Sequence, residues 1–361
     1  VIAGFPHKIE YGYSRLLYPY LAEGVAWIPR MMPERVSATE AVFVLAGIGG
    51  AGWLGYQLYT GLLGDRRIRM VLLKIGFVGA ALMAGLYFTY LMGWGLNYLR
   101  APFSEALLTE EVSADPSPDD YLEMTRDMMA LANVLHQKMA ERSSRQWVNV
   151  LDPVIDDSIR RVTSLTKPDL VPHPPPTKIL MTNELLSMFG ISGFFSPFLM
   201  EPHINGNLLP WELPVIMAHE KAHYMGFASE ADANLVAYIS CLWSPSDHLR
   251  YAAALKILLD LNRVIGDERW QELVRDGLSE QVKQDIRSRN QRIRTYQRRY
   301  LRLFRFQRRI NDLYLKLNSQ ELGVASYGAG MADLVRWWRL RQISGWANPP
   351  GRALLPVVFF R

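Results

Sequence analysis

The run His219-Glu220-Lys221-Ala222-His223 carries the clearest chemical signal in the chain. Two histidines four residues apart share one face of a helix, about 6 Å apart, so both imidazoles can reach a single Zn²⁺ while the intervening glutamate reaches a water on that ion. With seven His in 361 residues, an accidental HExxH is expected on the order of 0.01 times. The chemistry such a spacing serves is metal-assisted hydrolysis. The ion would bring the pKa of a water toward about 7, and Glu220 would take its proton and later pass it to the leaving amine.

A catalytic zinc takes three protein ligands and keeps a fourth position open. Glu230 is the expected third ligand, but on one continuous helix it would sit roughly 10.5 Å along the axis from His223. Gly226 offers the way back: a left-handed glycine there ends the helix, and Ser229 with Asp232 three later reads as a capping box opening the next one. Glu230 would then return to the metal from the first turn. Asp232 is the alternative ligand, and no third His stands at a suitable spacing. Asn234, one turn beyond Glu230, is placed to hydrogen-bond the ligand carboxylate. An oxyanion stabiliser is also required. Tyr251 is the first candidate, with His248 and His203 behind it, although Tyr251 reads equally well as a core aromatic. His7, His136 and His173 have no partner pattern.

The elements that must hold these residues begin with two charge-free apolar stretches, 41–63 and 75–99, each longer than the roughly 20 residues that cross a bilayer. They read as transmembrane helices. Gly47 and Ala51 in one, and Gly76, Ala80 and Ala84 in the other, would let them approach closely. Tyr87, Tyr90, Trp94 and Tyr98 read as an interfacial belt. Arg66, Arg67, Arg69 and Lys74 favour a cytoplasmic loop over 64–74, which puts residues 1–40 and everything after residue 99 on the outer side. Such an arrangement implies an upstream span, with Val1 to Phe5 as its remnant.

Beyond the membrane the pattern is mainly α. Ser117 followed by Pro118 starts a helix running to about Arg142, and another is expected over 153–165. Lys178 to Met181 reads as a short strand. Residues 190–205, interrupted by Pro197 and Pro202, suit an edge strand or hairpin that could either pack as core or pair with an extended peptide. From Leu213 to about Gln320 the reading is helical. The single Cys241 excludes a disulfide-stapled scaffold. Net charge is +5, yet residues 283–316 hold ten Arg and two Lys against two Asp, a local +10 that leaves −5 for the rest. The basicity therefore belongs to one amphipathic helix, with Arg287, Arg294, Arg298, Arg302, Arg305 and Arg309 on its face. That face is a solvated surface, a lipid-headgroup contact or a substrate contact; outside the cytoplasm no nucleic acid is expected.

Trp94-Gly95-Leu96-Asn97-Tyr98-Leu99-Arg100, Gly193-Phe194-Phe195-Ser196-Pro197, the HExxH block with its Gly226-Phe227-Ala228 turn, Arg250-Tyr251 and Gly323-Val324-Ala325-Ser326-Tyr327-Gly328 together resemble the domain-of-unknown-function family 3810 of bacterial membrane proteins. The likeness spans nearly the whole chain. The Glu230 to Asn234 run is similar to the gluzincin zinc peptidases, whose third ligand is a Glu on the following helix. The close Gly turn departs from most gluzincins and resembles that of metzincins, which use a His where this chain has none. The resemblance implies a zincin-like metallopeptidase domain over 100–361 behind amino-terminal membrane helices, with an additional first span and no specified substrate.

The expected activity is zinc-dependent cleavage of a peptide or protein substrate by a multi-pass protein of the cell membrane, with its catalytic domain on the extracytoplasmic side. A catalytically silent fold serving as an assembly or binding factor in a membrane complex is the alternative. Cleavage within the bilayer is a third, opposed by the polarity of Trp211, Glu212, Lys221 and Glu230 to Asp232.

Overall fold

A computed structural model of the chain describes residues 8–33, 36–62, 68–108, 114–137, 144–317 and 327–343. Val1 to Phe5, His7, Arg66, Arg67 and Gly323 to Ser326 lie outside the described residues. The described part is mainly helical with one small sheet.

Helix α1 (Tyr18–Met31), entered through a π-helical stretch Ile9–Leu17, precedes the two long apolar helices α2 (Ala38–Leu62) and α3 (Ile68–Gly93). Both are long and apolar enough to cross a membrane, and their side chains point outward, Phe77 being 76% exposed. The expected boundaries shift. The second helix stops at Gly93 rather than residue 99, because Trp94 leaves helical geometry at φ −151° and a 3₁₀ turn, Gly95–Leu99, follows. The expected small-residue contact is not formed: a Cβ on Gly47 or Gly76 would meet nothing within 4 Å, whereas one on Gly61 would meet Ile68 and Val71 at 3.1 Å. The helices touch beside their connection, and the rest of their apolar surface is left open.

The residues flanking the pair belong to one body. Tyr18, Ala22 and Ala26 of α1 are fully buried, and the Tyr18 hydroxyl donates to the Tyr224 carbonyl at 2.7 Å. The amino-terminal segment is therefore built into the helical domain instead of standing apart as 1–40. That domain comprises α4 (Pro118–His136), α5 (Ser144–Thr163), α6 (Asn183–Phe189), α7 (Leu213–Tyr224), α8 (Glu230–Leu242), α9 (Asp247–Ile265), α10 (Asp267–Gly277), α11 (Glu280–Arg299), α12 (Leu301–Leu317) and α13 (Tyr327–Ile343). Ser117 caps α4 in a reciprocal box with Asp120, as its sequence predicts. Helix α5 begins earlier than expected and carries Pro153 inside it. At the centre lies α8, packed on α7, α5, α9 and α13. Every residue from Leu235 to Leu242 is buried, as an all-round apolar helix requires.

Strands β1 (Lys178–Ile179), β2 (Gly193–Ser196) and β3 (Glu201–Ile204) form a sheet in the order β1-β3-β2. The expected hairpin is present, β2 antiparallel to β3 with Phe194 opposite His203. Pro202, however, lies in the central strand. It is tolerated because β1 pairs only with His203 and Ile204, so no second ladder reaches Pro202. The Arg-rich segment is two helices, broken at Tyr300 (φ −124°, ψ 37°).

Candidate metal centre

Helix α7 delivers His219, Glu220 and His223 because its flanking residues are buried: Leu213, Met217, Ala218, Ala222 and Tyr224 all belong to the core. Its buried Lys221 sits between Asp152 at 2.8 Å and Asp156, both from α5. Burial would discharge this lysine; the two carboxylates outweigh that and raise its pKa. A charge inside an apolar helix thus becomes the tie between α7 and α5.

The return loop has the expected form. Gly226 takes φ +85°, its N–H donates to His223 O at 3.0 Å, and the Phe227 N–H donates to Ala222 O at 3.1 Å, closing the helix with a left-handed glycine. Ser229 then accepts from the Asp232 N–H. The other half of the expected box is missing, since the Asp232 carboxylate accepts instead from the Phe103 N–H at 2.8 Å. That contact turns Asp232 away from the histidines and removes it as a ligand. Arg100 donates to the Gly226 carbonyl at 3.1 Å, is held by Glu10, and lies 4.2 Å over the Phe227 ring. Together these contacts clamp the turn.

Glu230 is thereby brought back to the histidines. One of its carboxylate oxygens lies 3.3 Å from His219 Nε2 and the other 3.7 Å from His223 Nε2, and the three ligand atoms fall within 4.8 Å of one another. The His223 Nδ1 lies 2.8 Å from the Phe227 carbonyl. A carbonyl can only accept, so Nδ1 carries the proton and the Nε2 lone pair faces Glu230. Burial, joined by repulsion from His219, lowers His223 to about 4 and keeps it neutral. For His219 burial acts downward too, but the Glu230 carboxylate outweighs it and the pKa rises. Burial lifts Glu220 to about 8, with Glu230 adding to the rise and His219 opposing it. A cation at the cluster would pull that carboxyl back toward its ionised form.

These groups line a cleft of about 500 Å³ that also includes Asn234, Lys256, Tyr98 and Gly193. Gly193 of the edge strand β2 has a steric reason to be glycine: a Cβ there would come within 2.8 Å of both Glu220 Oε1 and His203 O. Trp94 is buried rather than facing lipid. Its indole N–H donates to His223 O at 2.9 Å and its ring packs on His223 and Phe195, so two of the belt aromatics, Trp94 and Tyr98, line the cleft.

Tyr251 is not brought there. Fully buried, it donates its hydroxyl to Asp285 of α11 and stands edge-on to His136; burial and that acceptor both push its pKa up. The weaker candidates are elsewhere too. His203 is enclosed in β3 with Ser37 and Glu201, and neither it nor His248 lines the cleft. Sequence reasoning missed Tyr98 and Lys256, and also Gln307 and Asn311 of α12, which form one cleft wall. Only the tertiary packing of α12 against α6 brings those two amides in.

Residues 13–335 match the family model described as a protein of unknown function, DUF3810. The chain belongs to this family. The match runs from the π-helical entry to α13 and takes in both apolar helices and the whole His219, His223 and Glu230 cluster. No curated protein and no solved structure matches the chain.

Proposed function

We propose that this DUF3810 member is a membrane-anchored, zinc-dependent metallopeptidase. The observation that carries the reading is the convergence of His219, His223 and Glu230 at the base of a cleft beside a buried glutamate. Two bonds of about 2.0 Å at a tetrahedral angle separate their ligand atoms by about 3.3 Å. The His219–Glu230 and His223–Glu230 separations of 3.3 and 3.7 Å, made to different oxygens of the carboxylate, and the 4.8 Å limit on the three ligand atoms leave the cluster a small side-chain adjustment from that spacing. When bound, zinc supplies Lewis acidity toward a carbonyl and acidifies a water near neutral pH. Glu220 is the residue that would take a proton from the attacking water and return it to the leaving amine as the peptide bond breaks. Strand β2, at the sheet edge and against Glu220, offers backbone groups to an extended peptide.

The same body supports a membrane topology. Ser37, at the start of α2, is hydrogen-bonded to Glu201, and Trp94, just past the end of α3, is bonded to His223. One domain holds both outer ends, as it must if the two helices cross and return. Arg66 and Arg67 in the connection, with Arg69 and Lys74 in the opening turns of α3, favour a cytoplasmic loop, which supports a cleft on the extracytoplasmic side.

A silent zincin-like binding factor is the second reading, favoured by the diversion of Tyr251 to Asp285. Purified full-length chain and its Glu220→Gln variant, compared for zinc content and for cleavage of a peptide library, separate the two. Equal zinc with cleavage reduced on the order of 10²–10⁴-fold supports the peptidase. Equal zinc with no difference in cleavage, or no zinc at all, overturns it.

A further inference from the structure

Helix α12 presents one face inward and leaves the other open. Phe304 packs against Gly190, and Gln307 and Asn311 line the cleft. On the outer side Phe306, Ile310 and Leu313, at steps of four and three residues, are 58%, 50% and 54% exposed. Arg302, Arg305 and Arg309 border that stripe, are exposed, and make no ion pair among the described residues. An apolar ridge flanked by arginines is the pattern of a helix lying in a bilayer interface, where the ridge enters the headgroup boundary and the arginines meet anionic headgroups. The helix also lies close to the end of α3. Trp94 and Tyr98, directly after the apolar helix α3, line the same cleft as Gln307 and Asn311, so a single cleft separates α12 from the end of that helix.

We propose that the outer face of α12 docks on anionic lipid of the membrane that α2 and α3 enter. This rests on those helices spanning the bilayer and is independent of the peptidase reading. One wall of the cleft would then be seated on the lipid surface, and the cleft would open beside the membrane.

The test uses the full chain in nanodiscs, with an environment-sensitive fluorophore on Ile310→Cys and, separately, on Phe306→Cys. The native Cys241 is buried, so the label goes to the new site. Membrane insertion of α2 and α3 is checked first by recovery of the chain in the nanodisc fraction after a carbonate wash. Phosphatidylglycerol-containing discs are expected to give a blue-shifted, brighter emission than phosphatidylcholine discs, lost at high salt. The combined Arg302→Gln, Arg305→Gln and Arg309→Gln variant should lower the docked-to-free ratio roughly five-fold per arginine. Identical emission in both lipids identifies a solvated face and overturns the proposal. A blue shift that depends on protein concentration rather than on lipid charge identifies contact with a second copy and overturns it equally.

Discussion

The candidate metal-ligand corner and the Arg-rich helix α12 use charge in opposite ways. Around the corner, charges are paired inside the protein: Lys221 has Asp152 and Asp156, Arg100 has Glu10, and Asp232 has the Phe103 amide. Such buried, satisfied groups act in a low dielectric and hold one geometry. On α12 the arginines stand in solvent, where charge fixes little within the fold and is free to meet something outside it. A substitution in the corner should therefore move metal binding and stability together, while one at an exposed arginine of α12 should move neither by more than about 0.5 kcal/mol.

The largest effect is expected from His223→Ala, which should reduce bound zinc in the purified chain from one equivalent to a trace, read by elemental analysis; retention of a full equivalent would mean that the ion sits elsewhere. Next is Glu201. Burial alone would raise its carboxyl, but hydrogen bonds from His203 and from Thr39 at the start of α2 outweigh it and bring the value to about 2. A folded value below the ordinary 4.5 stabilises the protein above that pH, and the contribution fades as pH falls toward about 2. Its full size is on the order of 3 kcal/mol. Acid titration of thermal stability should show this loss, and Glu201→Gln should flatten it.

Gly226→Ala tests the turn itself. It asks alanine to hold φ +85° with a Cβ 2.9 Å from the Tyr18 ring, and should cost about 2 kcal/mol in thermal unfolding with weakened zinc retention. Tyr251→Phe is the mildest. Removing the bond to Asp285 should cost about 1 kcal/mol of stability and leave cleavage unchanged, whereas an oxyanion donor would cost 10²–10³-fold in turnover.

The local part of the candidate site is legible in the sequence. HExxH, the glycine turn, the Ser229 cap and the position of Glu230 all depend on residues within a dozen places of one another, and they fold as their spacing predicts. The two apolar helices and the mainly helical domain are legible for the same reason. The features that escape a sequence reading depend on distant partners. Tyr251 is an available phenol, but its partner Asp285 lies 34 residues away; Trp94 looks like a membrane-belt residue because nothing nearby in sequence announces the His223 carbonyl that takes its N–H. Asp232 satisfies a capping pattern, yet the Phe103 amide, 129 positions earlier, holds its carboxylate. Pro202 in the central strand and the break at Tyr300 depend likewise on what packs alongside.

The most direct test of the metal centre is anomalous X-ray scattering at the zinc edge from crystals of the full chain. The expected result is one strong peak about 2.0 Å from Nε2 of His219, Nε2 of His223 and a Glu230 carboxylate oxygen. No peak at that position in zinc-replete protein, or a peak coordinated by other side chains, would contradict it.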